Sequence, residues 1–578
     1  MLASGKYSYS RLSLAIITIA GFVASWFYVW KNNATQSVNF IVGDAEFYYY
    51  YLQSVFVDPS DLHYDWFKAG SINTITHHPI GLSVIFLPFY LAAQGIALLF
   101  GMETNGITLP YQLGISLAGL ASAVLGCAYL LNFLKEEGIG EKAAALTVLI
   151  LYFGTTLFQY SIIEPGMSHV YSFCFISIFL YYASQYRSRQ SKYAFYLSVL
   201  SLGMVLLIRP NNILVLLALP FLFRSLEEMK TFLKNHLGLK RVLSALGILA
   251  IFALLQVFAW YLKEEKLFSN RYAPYGFNWL HPHWKEMLFG FEAGFFIYTP
   301  MCLLFLFGLI SIFRENRFRF YALGGFILFL IYFFSSYSAY TYFDGLGIRV
   351  LVDYYAVFAY AGAKLLDTIP AIKSFSYPFW IMALFFLMLN LVYSYQSSRG
   401  ILLRSGMNFN KWKYVFMRTG YAYRGCLGGS NEYAPYAVSN PGLVLSGDAG
   451  LQHAFDYTGK EFGVLTRFDS VGVQSKRLFL ELDVTRREPA VNSSSEAMVC
   501  VSLGNKEGTI TKAYTQFRLN ETPSNQCCVN QHYHYTSNLN ADFQKSDRLS
   551  VYIWNKNKQN FSVSRFAVKL YDFNQTKE

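Results

Sequence analysis

Between about residue 12 and residue 395 the chain is a succession of apolar runs divided by short polar loops, and most of the runs are long enough to cross a bilayer. They cover about 12 to 30, 80 to 100, 110 to 134, 143 to 160, 168 to 186, 241 to 261, 293 to 313, 320 to 338, 350 to 368 and 377 to 395. A further apolar block, about 194 to 223, is interrupted by Arg209-Pro210-Asn211-Asn212, which predicts two short helices with Arg209 at their junction. Backbone in hydrocarbon must satisfy its own hydrogen bonds, so segments of this kind fold as helices. With 54% hydrophobic and 14% charged residues in 578, a soluble globular fold is excluded. The expectation is a polytopic α-helical membrane protein with about 10–13 membrane helices.

A net charge of +12 would point to nucleic acid in a soluble protein. Here the Lys and Arg sit in loops between apolar runs, where they report topology and imply no nucleic-acid partner. Tyr186 to Lys192, Arg224 to Arg241 and Arg314 to Arg319 should be cytoplasmic. The first outer loop, 31–79, then lies outside, with 160–169, 263–292, 336–349 and everything after about 396. On this count the run at 80–100 begins and ends on the same side, so it either re-enters or lies along the membrane surface. The apolar run after Lys6 and Arg11 lacks a small-residue cleavage site and reads as a retained first helix.

From about residue 400 the pattern changes to period two, in Arg477 to Val484, Ala497 to Ser502 and Arg548 to Trp554, with Asn, Gly and Ser turns between. This predicts two domains: a transmembrane catalytic domain, 1–396, and an extracytoplasmic all-β, sandwich-like domain, 397–578. Tyr533, Tyr535 and Trp554 there would, if exposed, suit stacking on sugar rings; residues of this kind more often fill a sandwich core or cover a domain's membrane face. Cys127, Cys174 and Cys302 fall in apolar runs as buried thiols, whereas Cys426, Cys500, Cys527 and Cys528 allow one or two disulfides.

The chemistry concentrates in the outer loops. Asp44 and Glu46 follow the first helix and precede the tyrosine run Tyr48 to Tyr51, which suits an interfacial aromatic belt. A carboxylate at a bilayer rim cannot snorkel as Lys and Arg do, so it is wet, paired or in a site. The same loop carries Lys68, His77 and His78; the others bring Glu164 with His169, Arg271, His281 with His283, and Asp344, Arg349 and Asp353. A carboxylate can take the proton of an attacking hydroxyl, and Arg binds phosphate through paired charge-assisted hydrogen bonds. The substrate implied is an amphiphile with a phosphate at headgroup level. The blander alternatives are an Arg209 that caps the hairpin, an Arg349 that pairs with Asp353 four residues on, and histidines that flank Pro79. Two histidines at 281 and 283 are too few to argue a metal.

The order of His78-Pro-Ile-Gly81 with Pro88, Arg209-Pro210, Gly294 to Pro300 and Asp344-Gly-Leu-Gly-Ile-Arg349, after an acidic motif, resembles the C-fold (GT-C) glycosyltransferase superfamily across 12–395. The likeness is to the bacterial branch that looks like protein O-mannosyltransferases and lipid A aminoarabinose transferases. It implies transfer, with inversion, of a sugar from a polyprenyl-phosphate carrier to a glycan, lipid or protein acceptor on the outer face of a bacterial cytoplasmic membrane. By that resemblance Asp44 is the general base and Glu46 orients the acceptor or a divalent cation. The family's acids are often adjacent, whereas Ala45 separates these two. Arg349, Arg209 and His78 would bind the donor phosphate, with His77, Lys68, Glu164, His169, Arg271 and Asp344 lining the site. The rival classes are a transporter or flippase of lipid-linked glycans, which needs no base, and a non-catalytic envelope scaffold.

Overall fold

The computed structural model describes residues 8–27, 40–41, 43–57, 78–264, 267, 276–342, 345–368, 373–403, 406–420, 441–489, 497–519, 528, 530–556 and 558–576. The chain divides into two compact units, Met1–Ser394 and Tyr395–Glu578, against the sequence boundary at 396.

The first unit is helical. Its principal helices are α1 (Tyr9–Ser25), α2 (Asp44–Phe56), α3 (Gly81–Leu99), α4 (Leu109–Glu136), α5 (Glu141–Gly154), α6 (His169–Arg189), α7 (Lys192–Ile208), α8 (Leu226–His236), α9 (Leu239–Glu264), α10 (Arg317–Ser335), α11 (Tyr355–Thr368) and α12 (Lys373–Ser398). Among the described residues five are long and apolar enough to cross a membrane: α3, α4, α10, Leu239–Tyr261 of α9 and Tyr377–Ser398 of α12. α9 is apolar nearly all round, and Leu243, Leu246, Ile251, Leu254 and Phe258 stay exposed, as befits a lipid-facing helix. The break at Arg209 is as the sequence implies: α7 ends, Arg209 is extended (φ −149°), and Pro210–Leu222 continues as a 3-10 helix.

Two apolar runs that hydropathy reads as continuous are interrupted. The run at 143–160 stops at Gly154, resuming as a π-helical turn at Gln159–Ile163, and 293–313 splits into Phe295–Tyr298, Pro300–Leu306 and Gly308–Glu315. The breaks meet: the Tyr355 hydroxyl lies 2.7 Å from Thr156 Oγ1 and 3.4 Å from Thr299 Oγ1.

One end of the helical unit is tied by charge. Glu137, just past α4, has a fully buried side chain and accepts from Arg187 at 2.7 Å and Arg319 at 3.0 Å. Arg319 also donates to the Tyr360 hydroxyl and to the carbonyl oxygen of Leu222. Asn316 reaches the Arg224 carbonyl and Tyr186 the His236 carbonyl, so all three basic loops converge at this end. Removing one partner from a buried ion pair leaves an uncompensated charge. Glu137→Gln is therefore expected to destabilise the helical unit by about 3–5 kcal/mol. A fall in the apparent Tm of the detergent-solubilised chain checks this, and an unchanged Tm would refute it.

The run at 80–100 forms the single helix α3. Gly81 of α3 packs on Leu207 and Ile208 at the end of α7, Phe86 on Tyr171 at the start of α6, and Tyr90 on Tyr111 at the start of α4. All three belong to the halves of their helices remote from Glu137. α3 has the length and hydropathy of a span, yet its described packing is confined to that opposite end. Tyr48 to Tyr51, read from sequence as an interfacial belt, are all buried, because α2 turns them against α3 and its neighbours; Tyr49 meets both Phe86 and Tyr90.

The second unit contains two antiparallel sheets over one core. The strands are β1 (Pro441–Asp448), β2 (Phe455–Asp456), β3 (Phe462–Phe468), β4 (Ser475–Arg487), β5 (Met498–Gly504), β6 (Thr511–Arg518), β7 (Asn530–Phe543), β8 (Arg548–Trp554) and β9 (Ser562–Thr576). One sheet runs β1-β9-β4-β7 with β2 on β9, the other β3-β8-β5-β6. The alternation of β8 puts Leu549, Val551 and Ile553 in the core beside Leu480 and Leu482 of the facing sheet. Tyr533 and Tyr535 are core residues rather than exposed platforms, and Trp554 is tied to Glu461. Arg486, fully buried on β4, pairs with Glu488 and lies 4.1 Å from the centroid of the Phe561 ring. Cys127, Cys174, Cys302 and Cys500 are free and buried; Cys528 is disulfide-bonded.

Candidate active site

Asp44 is the first residue of α2, so its carboxylate sits where helix backbone N–H groups favour negative charge. It is about one-fifth exposed and makes an ion pair with Arg349, Asp44 Oδ2 to Nη2, at 3.1 Å. Arg349 comes from the other side of the unit, at the start of a 3-10 turn, Arg349–Tyr354. The Gly345-Leu-Gly-Ile stretch delivers it: Gly347 has φ +69°, which a side chain would strain, and a Cβ on Gly345 would stand 3.4 Å from Arg349 Cδ. The second terminal nitrogen of Arg349 lies 3.5 Å from Met167 Sδ.

Beside this pair lies a second network, centred on Asp353, one turn beyond Arg349. Its carboxylate is 2.8 Å from His169 Nδ1, accepts from Asn212 Nδ2 at 2.8 Å and is 3.5 Å from Arg209 Nε. Tyr354 donates its hydroxyl to Asn212 Oδ1. Asp353 is only 1% exposed, so a carboxylate there persists because three elements satisfy it. Ser168 joins the networks: Arg209 Nη1 is 3.3 Å from its hydroxyl, and Tyr48 of α2 is 3.5 Å away. The ring of Tyr160 packs edge-on against His169, and its hydroxyl donates to Leu346 O.

The structure thus brings Asp44, Arg349, Arg209 and His169 together from four separate segments. His78 is buried against α2, parallel to Phe47 with centroids 4.3 Å apart, and its carbonyl accepts from Tyr51. Glu164 is buried and accepts from Gln159 Nε2 at 3.1 Å. Glu46 is two residues from Asp44, about 200° round the helix, so the two carboxylates leave α2 from opposite sides. Burial holds the Glu46 carboxyl above the usual range, opposed by a hydrogen bond from the Gly43 backbone. His77, Lys68, Arg271 and Asp344 lie outside the described residues. Among the described residues no group of three or more His, Cys, Asp or Glu is placed to hold a metal ion, and His283 stacks on Tyr340.

Asp353 is the central residue that sequence reasoning missed, having entered it only as the expected partner of Arg349. Its signal was a carboxylate at the head of an apolar run. Gly166 is another: a Cβ there would stand 2.5 Å from Ala45 Cβ and 2.6 Å from Phe40 O, so only glycine lets the 164–168 turn press against the first turn of α2. Gly166→Ala is expected to push Asp44 off Arg349 and to lower activity roughly tenfold or more, given the cost of 1 Å misplacements. Turnover in a variant that keeps the parent Tm measures it; parent-level turnover would show that the close contact is dispensable.

Chemically, the site holds an ionised carboxylate against a guanidinium, with a second guanidinium and an imidazole anchored beside them. A carboxylate so placed can act as a base, and a guanidinium pair beside it can bind an anion. Compared with known proteins, the chain matches no family model, and no curated protein matches it.

Proposed function

We propose that the chain is a multi-pass glycosyltransferase of a bacterial cytoplasmic membrane, with the C-fold architecture that its motif order resembles. It moves a sugar, with inversion, from a polyprenyl-phosphate carrier to an acceptor hydroxyl on the outer face. The observation that carries this reading is the Asp44–Arg349 ion pair beside the Arg209–Asp353–His169 network. In the reaction the acceptor oxygen attacks the anomeric carbon while Asp44 takes its proton. The bond from that carbon to the phosphate oxygen breaks, and its electron pair leaves with the lipid phosphate. Arg349 and Arg209 stabilise the charge developing there, so no general acid is needed.

The positive-inside rule puts the Glu137 end in the cytoplasm and the Asp44 site at the outer end. α6 links the two, since His169 and Arg187 are about 27 Å apart along it. α12 passes the site end, where Asn390 donates to the Tyr298 carbonyl. The test is transfer of radiolabel from a panel of polyprenyl-phosphate sugars in membranes containing the chain. Label moving to an acceptor is the expected result. Should every donor stay intact while lipid-linked glycan crosses proteoliposomes, the transporter reading replaces this one.

A further inference from the structure

At the Glu137 end, remote from the Asp44 site, α1 and α4 leave a cleft of about 950 Å³ between them. It is lined by Ser8, Arg11 and Leu14 from α1 and by Ala128, Asn132 and Lys135 from α4. The α4 residues recur at four- and three-residue steps, which puts them on one face, and Ser8, Arg11 and Leu14 do the same on α1. Arg11 and Lys135 are both exposed, and neither makes an ion pair among the described residues. One acid lies beside them: Glu141 accepts from the hydroxyls of Ser8 and Ser10, the latter at 2.8 Å, and from the Ser10 backbone N–H, and its carboxylate feels the Lys135 charge. The cleft therefore presents two cations from two helices against one carboxylate, a net positive charge, with hydroxyl and amide groups between them.

Away from the cations the same two helices are apolar and uncovered. Ile16, Ile19 and Val23 of α1 and Leu117 and Leu125 of α4 are all exposed. An occupant would meet positive charge at one end and a lipid-facing hydrocarbon surface along its length. The cleft's volume falls in the range of small-molecule sites. The three basic loops gathered at this end place it at the cytoplasmic leaflet, which is the anionic one.

We infer that this cleft seats the phosphodiester headgroup of an anionic glycerophospholipid, with Arg11 and Lys135 on the phosphate and an acyl chain along the exposed faces of α1 and α4. Two cations offset by the Glu141 carboxylate leave about one net charge, which at a membrane surface gives roughly a fivefold preference for an anionic over a zwitterionic lipid. The inference rests on the helical unit being membrane-embedded, and not on the transferase assignment.

The experiment is native mass spectrometry of the full chain in detergent, with phosphatidylglycerol and phosphatidylcholine supplied at equal mole fraction. The parent should retain phosphatidylglycerol roughly fivefold over phosphatidylcholine. The double variant Arg11→Gln/Lys135→Gln should lose that preference, while Lys142→Gln, an exposed cation outside the cleft, should keep it. Both altered side chains are exposed, so the fold should survive, and matched Tm values check that. Equal retention of the two lipids by the parent, or an undiminished preference in the double variant, overturns the inference. So does displacement of the lipid by millimolar inorganic phosphate, which would mark an ion site. Because sugar transfer is assayed at the other end of the bundle, its failure would leave this result standing, and the reverse holds too.

Discussion

Asp44→Asn is expected to reduce sugar transfer by roughly a hundredfold to ten-thousandfold, the range for loss of a positioned general base, in a chain that still folds. Asparagine preserves the shape and a hydrogen-bond acceptor toward Arg349, and removes only the charge that takes the proton. Arg349 is 9% exposed and would lose its counter-charge, but Asp44 itself is 21% exposed. The stability cost should therefore fall below the ~3–5 kcal/mol of a fully buried pair. Asp44→Glu keeps the carboxylate, displaced by one methylene, and should retain part of the rate. The pair separates chemistry from packing: a structural role predicts that Glu, the bulkier change, is worse, whereas a base predicts that Asn is worse. An expression-matched, folded Asp44→Asn chain that transfers label at the parent rate would sink the mechanism.

The sequence disclosed the parts of this site better than their arrangement. Charged residues at the ends of apolar runs are costly unless used, and that reasoning singled out Asp44, Arg209, His169 and Arg349. Which of them pair was hidden, because residue 44 and residue 349 meet only through the tertiary fold. The local alternative, Arg349 with Asp353, fails for a reason of geometry. It assumes an α-helix, in which residues four apart share a face, but Arg349–Tyr354 is a 3-10 turn. With three residues per turn, position i+4 is about 120° away from position i, so one turn presents Arg349 to Asp44 and Asp353 to Arg209.

The helix breaks tell a similar story. Arg209-Pro210 was legible because proline removes a backbone donor and disfavours helix before it. The interruption after Gly154 was not, since hydropathy averages over Thr155 and Thr156 and cannot sense that the Tyr355 hydroxyl awaits one of them. Arg187 and Arg319 were expected in loops, but Arg187 lies in the last turn of α6 and Arg319 in the first turn of α10, and nothing local says that Glu137 draws both into the protein. In the β unit, period two found β8 and its core face, and of the two environments open to Tyr533 and Tyr535, a sugar-stacking surface or the sandwich core, the fold takes the core. A tyrosine fits either side of a sheet, and only the opposing sheet decides.

Asp353→Asn is expected to lower transfer nearly as much as Asp44→Asn, and by a different route. Asp353 touches neither Asp44 nor Arg349 in the described contacts; it fixes Arg209, His169 and Asn212, so it is a positioning residue. Taking its charge away removes the buried carboxylate that faces the Arg209 guanidinium, whose side chain is 11% exposed, at a cost of about 3–5 kcal/mol. Loss of activity through simple unfolding must then be told apart from loss of a held cation. The double variant Arg209→Met/Asp353→Asn removes both charges and should recover most of the stability, because an uncharged pair leaves nothing uncompensated. If Arg209 serves the phosphate, that stabilised chain still turns over far below the parent rate, and its KM for the lipid donor rises above that of Asp44→Asn, in which both arginines remain. If transfer returns with the Tm, the Asp353 network only holds the 3-10 turn against α6, and phosphate binding falls to Arg349 alone.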